Sequence, residues 1–189
     1  VAHLEASARR YPPGEVQFSL AEAQLLRDAG RESDALALLE KSLEQQPNQP
    51  EVLYDAAMLA ERLGRMDLVE SNLRRVILLR PDNAHAYNAL GYSFADRGIR
   101  LDEARELIAK ALALAPEDPF ILDSMGWVMF KLGDQPAALD YLQRAYRIKP
   151  DAEIAAHLGE VLWLLERRDE AQRTWAEAAG RHPGNEVLN

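Results

Sequence analysis

The chain has 189 residues, 48% hydrophobic and 28% charged, with a formal net charge of −9 from 31 acidic and 22 basic side chains. That balance supplies a water-soluble core and excludes intrinsic disorder, and its sign repels a phosphate backbone, so nucleic acid is not an expected partner. There is no cysteine and hence no disulfide or thiolate metal site, no apolar run reaches the ~20 residues of a membrane-spanning helix, and Val1-Ala2-His3-Leu4-Glu5 lacks the layout of a signal peptide.

The 30 alanines and 29 leucines stand against 15 β-branched residues. Ala and Leu lose little side-chain entropy in a helix whereas β-branched residues favour strands, so the fold class is all-α. Prolines punctuate the chain: Pro13, Pro47, Pro81, Pro116, Pro150 and Pro183 are separated by 34, 34, 35, 34 and 33 residues. Gly30, Gly64, Gly98 and Gly133 each precede one of them by 17 or 18 residues. Glycine ends a helix by taking the left-handed conformation, and proline stops the next one, so the repeating unit is helix, short turn, helix, stop.

In chain order, residues 1–15 read as a partial unit that contributes only a second helix. Full units follow at 16–49, 50–83, 84–118, 119–151 and 152–185, with a tail at 186–189. The first full unit is irregular, with Ser19 and Glu22 at usually apolar places; the third carries an extra residue around Ile99; the fifth has Glu166 where glycine is expected. Small residues recur seven places before the turn glycine (Ala23, Ala57, Gly91, Gly126, Gly159) and five or six after it (Ala35, Ala104, Ala138, Ala171, with Val69 the exception). They predict close approach of the two helices, with Tyr87, Leu90, Phe94 and Ile108 filling the gaps between them. Asp67, Asp82, Asp102 and Asp151 are expected at helix starts, as caps and as partners of the positive helix end. The array reads as a piece of a longer single domain, and Trp175, on the last unit, predicts end-to-end association of that piece.

The inventory for catalysis is thin. His3, His85, His157 and His182 fall in different units, and no glycine-rich phosphate loop occurs. His157 and Glu160 share a helix face at metal-ligand spacing, yet a third ligand is missing, so they read as a surface polar pair. Arg74, Arg75 and Arg80 read as a solvated face rather than a basic patch. Neither an enzyme nor a cofactor is expected.

The 34-residue helix-turn-helix resembles the tetratricopeptide repeat, most clearly from Ala84-His85-Ala86-Tyr87-Asn88-Ala89-Leu90-Gly91-Tyr92 through Gly98, Ala104, Ala111 and Pro116. The resemblance implies a solenoid of antiparallel helix pairs in a right-handed superhelix, about five repeats plus a partial one, with the first helices lining the concave side. Ligand-facing places then hold Tyr54, Asp55, Met58, Asn88, Tyr92, Asp96, Asp123, Trp127, Glu160 and Trp163. Acids beside aromatics favour a peptide or protein segment with apolar and basic side chains. Packing of Tyr92 and Trp127 against neighbouring first helices is the open alternative. The carboxylate clamp of chaperone-binding members is not reproduced, since its place reads Ala21, Asp55, Ala89, Ser124 and His157.

Within Asp82 to Trp175, the phrases Ala89-Leu90-Gly91-Tyr92-Ser93-Phe94-Ala95-Asp96-Arg97, Ile121-Leu122-Asp123-Ser124-Met125-Gly126-Trp127-Val128 and Ala155-Ala156-His157-Leu158-Gly159-Glu160-Val161-Leu162-Trp163 are similar to the C-terminal repeats of proteobacterial outer-membrane lipoproteins of this type. That group includes an adaptor of a periplasmic C-terminal-processing protease. The resemblance implies a noncatalytic scaffold on the periplasmic side of the outer membrane, with such a protease or its substrates as partner. The alternative is a cytoplasmic module that assembles or regulates another complex.

Overall fold

A computed structural model describes residues 16–181 and 183–184. The expectations for residues 1–15, His182 and residues 185–189 lie outside the described residues. Among those described there are ten helices and no strand: α1 (Val16–Asp28), α2 (Glu32–Gln45), α3 (Pro50–Arg62), α4 (Met66–Leu79), α5 (Ala84–Asp96), α6 (Leu101–Leu114), α7 (Pro119–Lys131), α8 (Gln135–Ile148), α9 (Ala152–Leu164) and α10 (Arg168–Arg181). They pair as the punctuation predicts, one pair per repeat. No described helix is long and apolar enough to cross a membrane. The chain forms two compact units, residues 1–86 and 87–189, with the boundary inside α5.

In the unit of residues 1–86, the small positions Ala23, Ala35 and Ala57 are buried, and Val69, the exception in the sequence pattern, is buried completely. Leu39, Leu59 and Leu73 fill the spaces between the helices. Burial of each such side chain contributes roughly 1.5–3 kcal/mol.

In the unit of residues 87–189 the helices of a pair touch almost backbone to side chain. A Cβ placed on Gly91 would lie 2.6 Å from Ile108 Cγ1 and 2.9 Å from the Ala104 carbonyl oxygen. One on Gly126 would lie 2.5 Å from Leu142 Cγ, and one on Gly159 would overlap the Trp175 indole. Trp175 thus packs into its own repeat, half-buried, with its ring 5.9 Å from that of Trp163.

Turns close as the glycines require. At Gly133 (φ 86°) the chain reverses, and Asp134 N–H donates to the Met129 carbonyl at 2.9 Å. Glu166 takes the same left-handed place at φ 59°, with Arg167 N–H donating to the Leu162 carbonyl at 2.9 Å, which shows that the turn persists without glycine. Arg100 (φ 51°) absorbs the extra residue of the third turn.

Capping departs from expectation. Asp151 caps α9 through Glu153 N–H, and Asp118 and Asp134 cap α7 and α8. At α5 the cap is Asn83, whose Oδ1 accepts from Ala86 N–H at 3.1 Å, not Asp82. Asp67 and Asp102 sit inside the first turn after Arg65 and Arg100, which provide no side-chain cap. Those two acids therefore cap no backbone N–H; they face the helix dipole and exposed arginines, Asp67 with Arg65 at 3.6 Å and Asp102 with Arg105 at 3.7 Å.

Candidate functional site

The first helices α5, α7 and α9 bring one aromatic and acidic group together. On α9, place six of the repeat turns His157 toward α7, where its Nδ1 lies 3.0 Å from both carboxylate oxygens of Asp123. The Trp127 indole stacks on the imidazole at 4.2 Å with 20° between the planes, and the Lys131 ammonium sits 4.3 Å from the indole centroid. Tyr92 on α5 lies 6.2 Å from the imidazole and donates from its hydroxyl to Glu153 at 3.2 Å.

Burial disfavours the charged imidazole, but the hydrogen bond and charge of Asp123, joined by Glu153 and Glu160, outweigh it and raise the His157 pKa. The Tyr92 hydroxyl is held far above its ordinary range by burial, by the charges of Glu153, Asp96 and Asp123, and by its bond to Glu153.

This geometry sorts the expected ligand-facing residues. Trp127 is 6% exposed and Asp123 4%, so both lie beneath the face rather than on it. Trp127 follows the packing alternative, because its ring is taken up by His157 and by Phe130, stacked at 5.2 Å. Its Nε1 is buried without a partner, as is Oδ1 of the half-buried Asn88. His157 is not half of a surface pair with Glu160, because it is buried and bound to Asp123 of the preceding first helix.

On the surface remain Asp96, Glu153, Glu160 and Trp163, with Tyr92 half-buried beside them. Glu153 was not singled out from the sequence, although it holds place two of its repeat, a groove place. Asp96, Glu153 and Glu160 form no salt bridge among the described residues. Nearby acids do: Glu103 with Arg100 at 2.6 Å, Glu170 with Arg167 at 2.7 Å and Glu166 with Arg168 at 2.7 Å.

The unit of residues 1–86 holds the other expected residues, Tyr54, Asp55 and Met58, all half-buried on α3. Tyr54 and Asp55 line an open pocket of about 320 Å³ with Leu20, Pro50, Glu51, Arg80, Asn83 and His85. Burial raises the Asp55 pKa, partly offset by the charge of Arg27; burial and the Asp55 charge raise that of Tyr54. The arginines of this unit are tethered one by one, Arg74 to Glu70 at 2.8 Å, Arg75 to Asn48 at 2.6 Å and Arg80 to Glu51 at 3.5 Å, so they present no common basic patch.

Two tetratricopeptide-repeat family models match the chain, over residues 26–91 and 1–50. TPR repeat-containing protein PA4667 of Pseudomonas aeruginosa is 44% identical over 157 residues, 83% of this chain and 27% of that protein. Protein FlbA of Caulobacter vibrioides is 28% identical over 81% of this chain and 26% of its own length. The chain thus spans about a quarter of the length of these two relatives. Among solved structures, TTC0263, a thermophilic TPR protein of Thermus thermophilus, superposes with a TM-score of 0.80 at 25% identity, covering 91% of this chain and 94% of that one. The helix pair that recurs along the described residues therefore has the fold of the tetratricopeptide repeat, whose family models match within residues 1–91.

Proposed function

We propose that the chain is a noncatalytic scaffold whose α5, α7 and α9 face holds a partner-protein segment carrying basic and apolar side chains. Repeats of this kind present extended surfaces to other proteins. The observation that carries the reading is that Asp96, Glu153 and Glu160, around Tyr92 and Trp163, have no cationic partner among the described residues, in a unit where several other acids, such as Glu103 and Glu170, are matched with arginine. Like charges held together repel, and a cationic segment relieves that repulsion while covering the aromatic surface.

The finer form of this reading takes the partner to be a C-terminal-processing protease of the periplasm or one of its substrates, with the whole protein on the periplasmic side of the outer membrane. It is supported by the likeness of the residue 89–97, 121–128 and 155–163 phrases to such lipoproteins. Titration calorimetry of the chain with a purified protease of this class and with its substrates tests both levels. Binding that weakens about tenfold in Asp96→Asn/Glu160→Gln and falls with added salt is the expected result. Binding indifferent to those changes removes the face. Binding to a cytoplasmic complex with none to the protease removes the adaptor and leaves the scaffold.

A further inference from the structure

We propose that the pocket in the unit of residues 1–86 seats a single cationic side chain, an arginine or lysine of a protein segment, with the Asp55 carboxylate as its counter-ion. The proposal rests on the scaffold reading and names the chemistry that one of its sites takes.

Two carboxylates line the pocket and only one is matched. Glu51 lies 3.5 Å from the Arg80 guanidinium, whereas Asp55 has no hydrogen bond or salt bridge among the described residues. The cation whose charge reaches Asp55 is Arg27, but that guanidinium is hydrogen-bonded to Gln24 on its own helix. Asp55 is therefore a half-buried carboxylate that has lost part of its hydration without gaining a donor, and its raised pKa is the sign of that deficit.

The walls fit the stem of a long cationic side chain. Leu20 and Pro50 supply apolar surface for methylenes, and the Tyr54 ring supplies a face for a guanidinium or ammonium group. A charge-assisted hydrogen bond to Asp55 then completes the contact. At about 320 Å³ the pocket lies at the small end of ligand sites, which run roughly 300–1,000 Å³, so it suits one side chain better than a cofactor. An acidic side chain meets the Asp55 charge with Arg80 already held, and an apolar one leaves the carboxylate unmatched.

The test is a two-dimensional amide NMR titration of the chain with four small probes: N-acetyl-arginine amide, N-acetyl-lysine amide, N-acetyl-norleucine amide and N-acetyl-glutamate amide. The expected result is saturable shifts at Leu20, Tyr54 and Asp55 with the arginine and lysine probes, about tenfold weaker binding of norleucine amide, and none of the glutamate probe. Asp55→Asn should weaken the arginine probe about tenfold. Equal binding of norleucine and arginine amides, no shifts at these residues, or arginine binding unchanged in Asp55→Asn overturns the proposal. Should the variant not fold, the four-probe comparison on the unaltered chain decides alone. Failure here with partner binding intact at Asp96 and Glu160 removes the pocket and leaves the scaffold; loss of partner binding with the arginine probe still bound does the reverse.

Discussion

The imidazole of His157 is bound edge-on by Asp123 and covered face-on by Trp127: Nδ1 lies 3.0 Å from both carboxylate oxygens, and the indole stacks at 4.2 Å. One histidine thereby ties α9 to α7 and fills the layer beneath the proposed partner face. Breaking such a buried pair from one side leaves the other charge unmatched, which makes it a register device between adjacent first helices.

A pH dependence follows. The folded-state pKa of His157 is raised above the unfolded value, about 6.5, so the pair contributes fully below that value and its contribution is lost as pH rises through the folded pKa. Asp123 on α7 and Glu153 and Glu160 on α9 all push in the same direction, while Tyr92 on α5 faces the ring as a neutral phenol. Denaturant midpoints measured from pH 5.5 to 9 should fall across this window in the wild type and stay flatter in His157→Gln. Superimposable profiles would refute the linkage.

Trp127 and Trp163 should separate stability from binding. Trp127→Ala removes a ring that is 6% exposed and should cost about 3–5 kcal/mol in urea unfolding. Trp163 is 38% exposed, so Trp163→Ala should cost under about 1 kcal/mol while weakening partner binding. The reverse assignment of stability losses would contradict the placement of these rings.

Gly126→Leu forces a side chain into Leu142 and the Ala138 carbonyl, at 2.5 Å and 3.1 Å from its first carbon. The α7–α8 pair must separate, at a cost of about 1–3 kcal/mol or more. Because repeats lean on their neighbours, the midpoint of the whole 87–189 unit should drop. Unchanged thermal unfolding would remove the packing role of this glycine.

Two acids near helix starts should behave differently. Asp118 accepts from both Phe120 and Ile121 N–H, so Asp118→Ala should cost about 1 kcal/mol. Asp102 caps nothing and meets only the exposed Arg105 at 3.7 Å, so Asp102→Ala should cost under about 0.5 kcal/mol through the helix dipole and that weak pair. Equal losses in a melting experiment would show that the caps are misassigned.

Spacing by itself determined the helix pairs, their boundaries and their close-packed positions. Gly91, Gly126 and the buried alanines could be read in advance because helix termination and close approach depend on residue type at fixed offsets, which are local properties. Which groove-place residues stay in water was decided only by tertiary structure. Trp127 and Trp163 both occupy groove places, but one is stacked on His157 and the other is open, because exposure depends on what the neighbouring first helix contributes. In the same way His157 finds its partner 34 residues away in Asp123 rather than three away in Glu160. A period places a side chain on a helix face, while the side chain across the gap determines whether it is buried, charged or available.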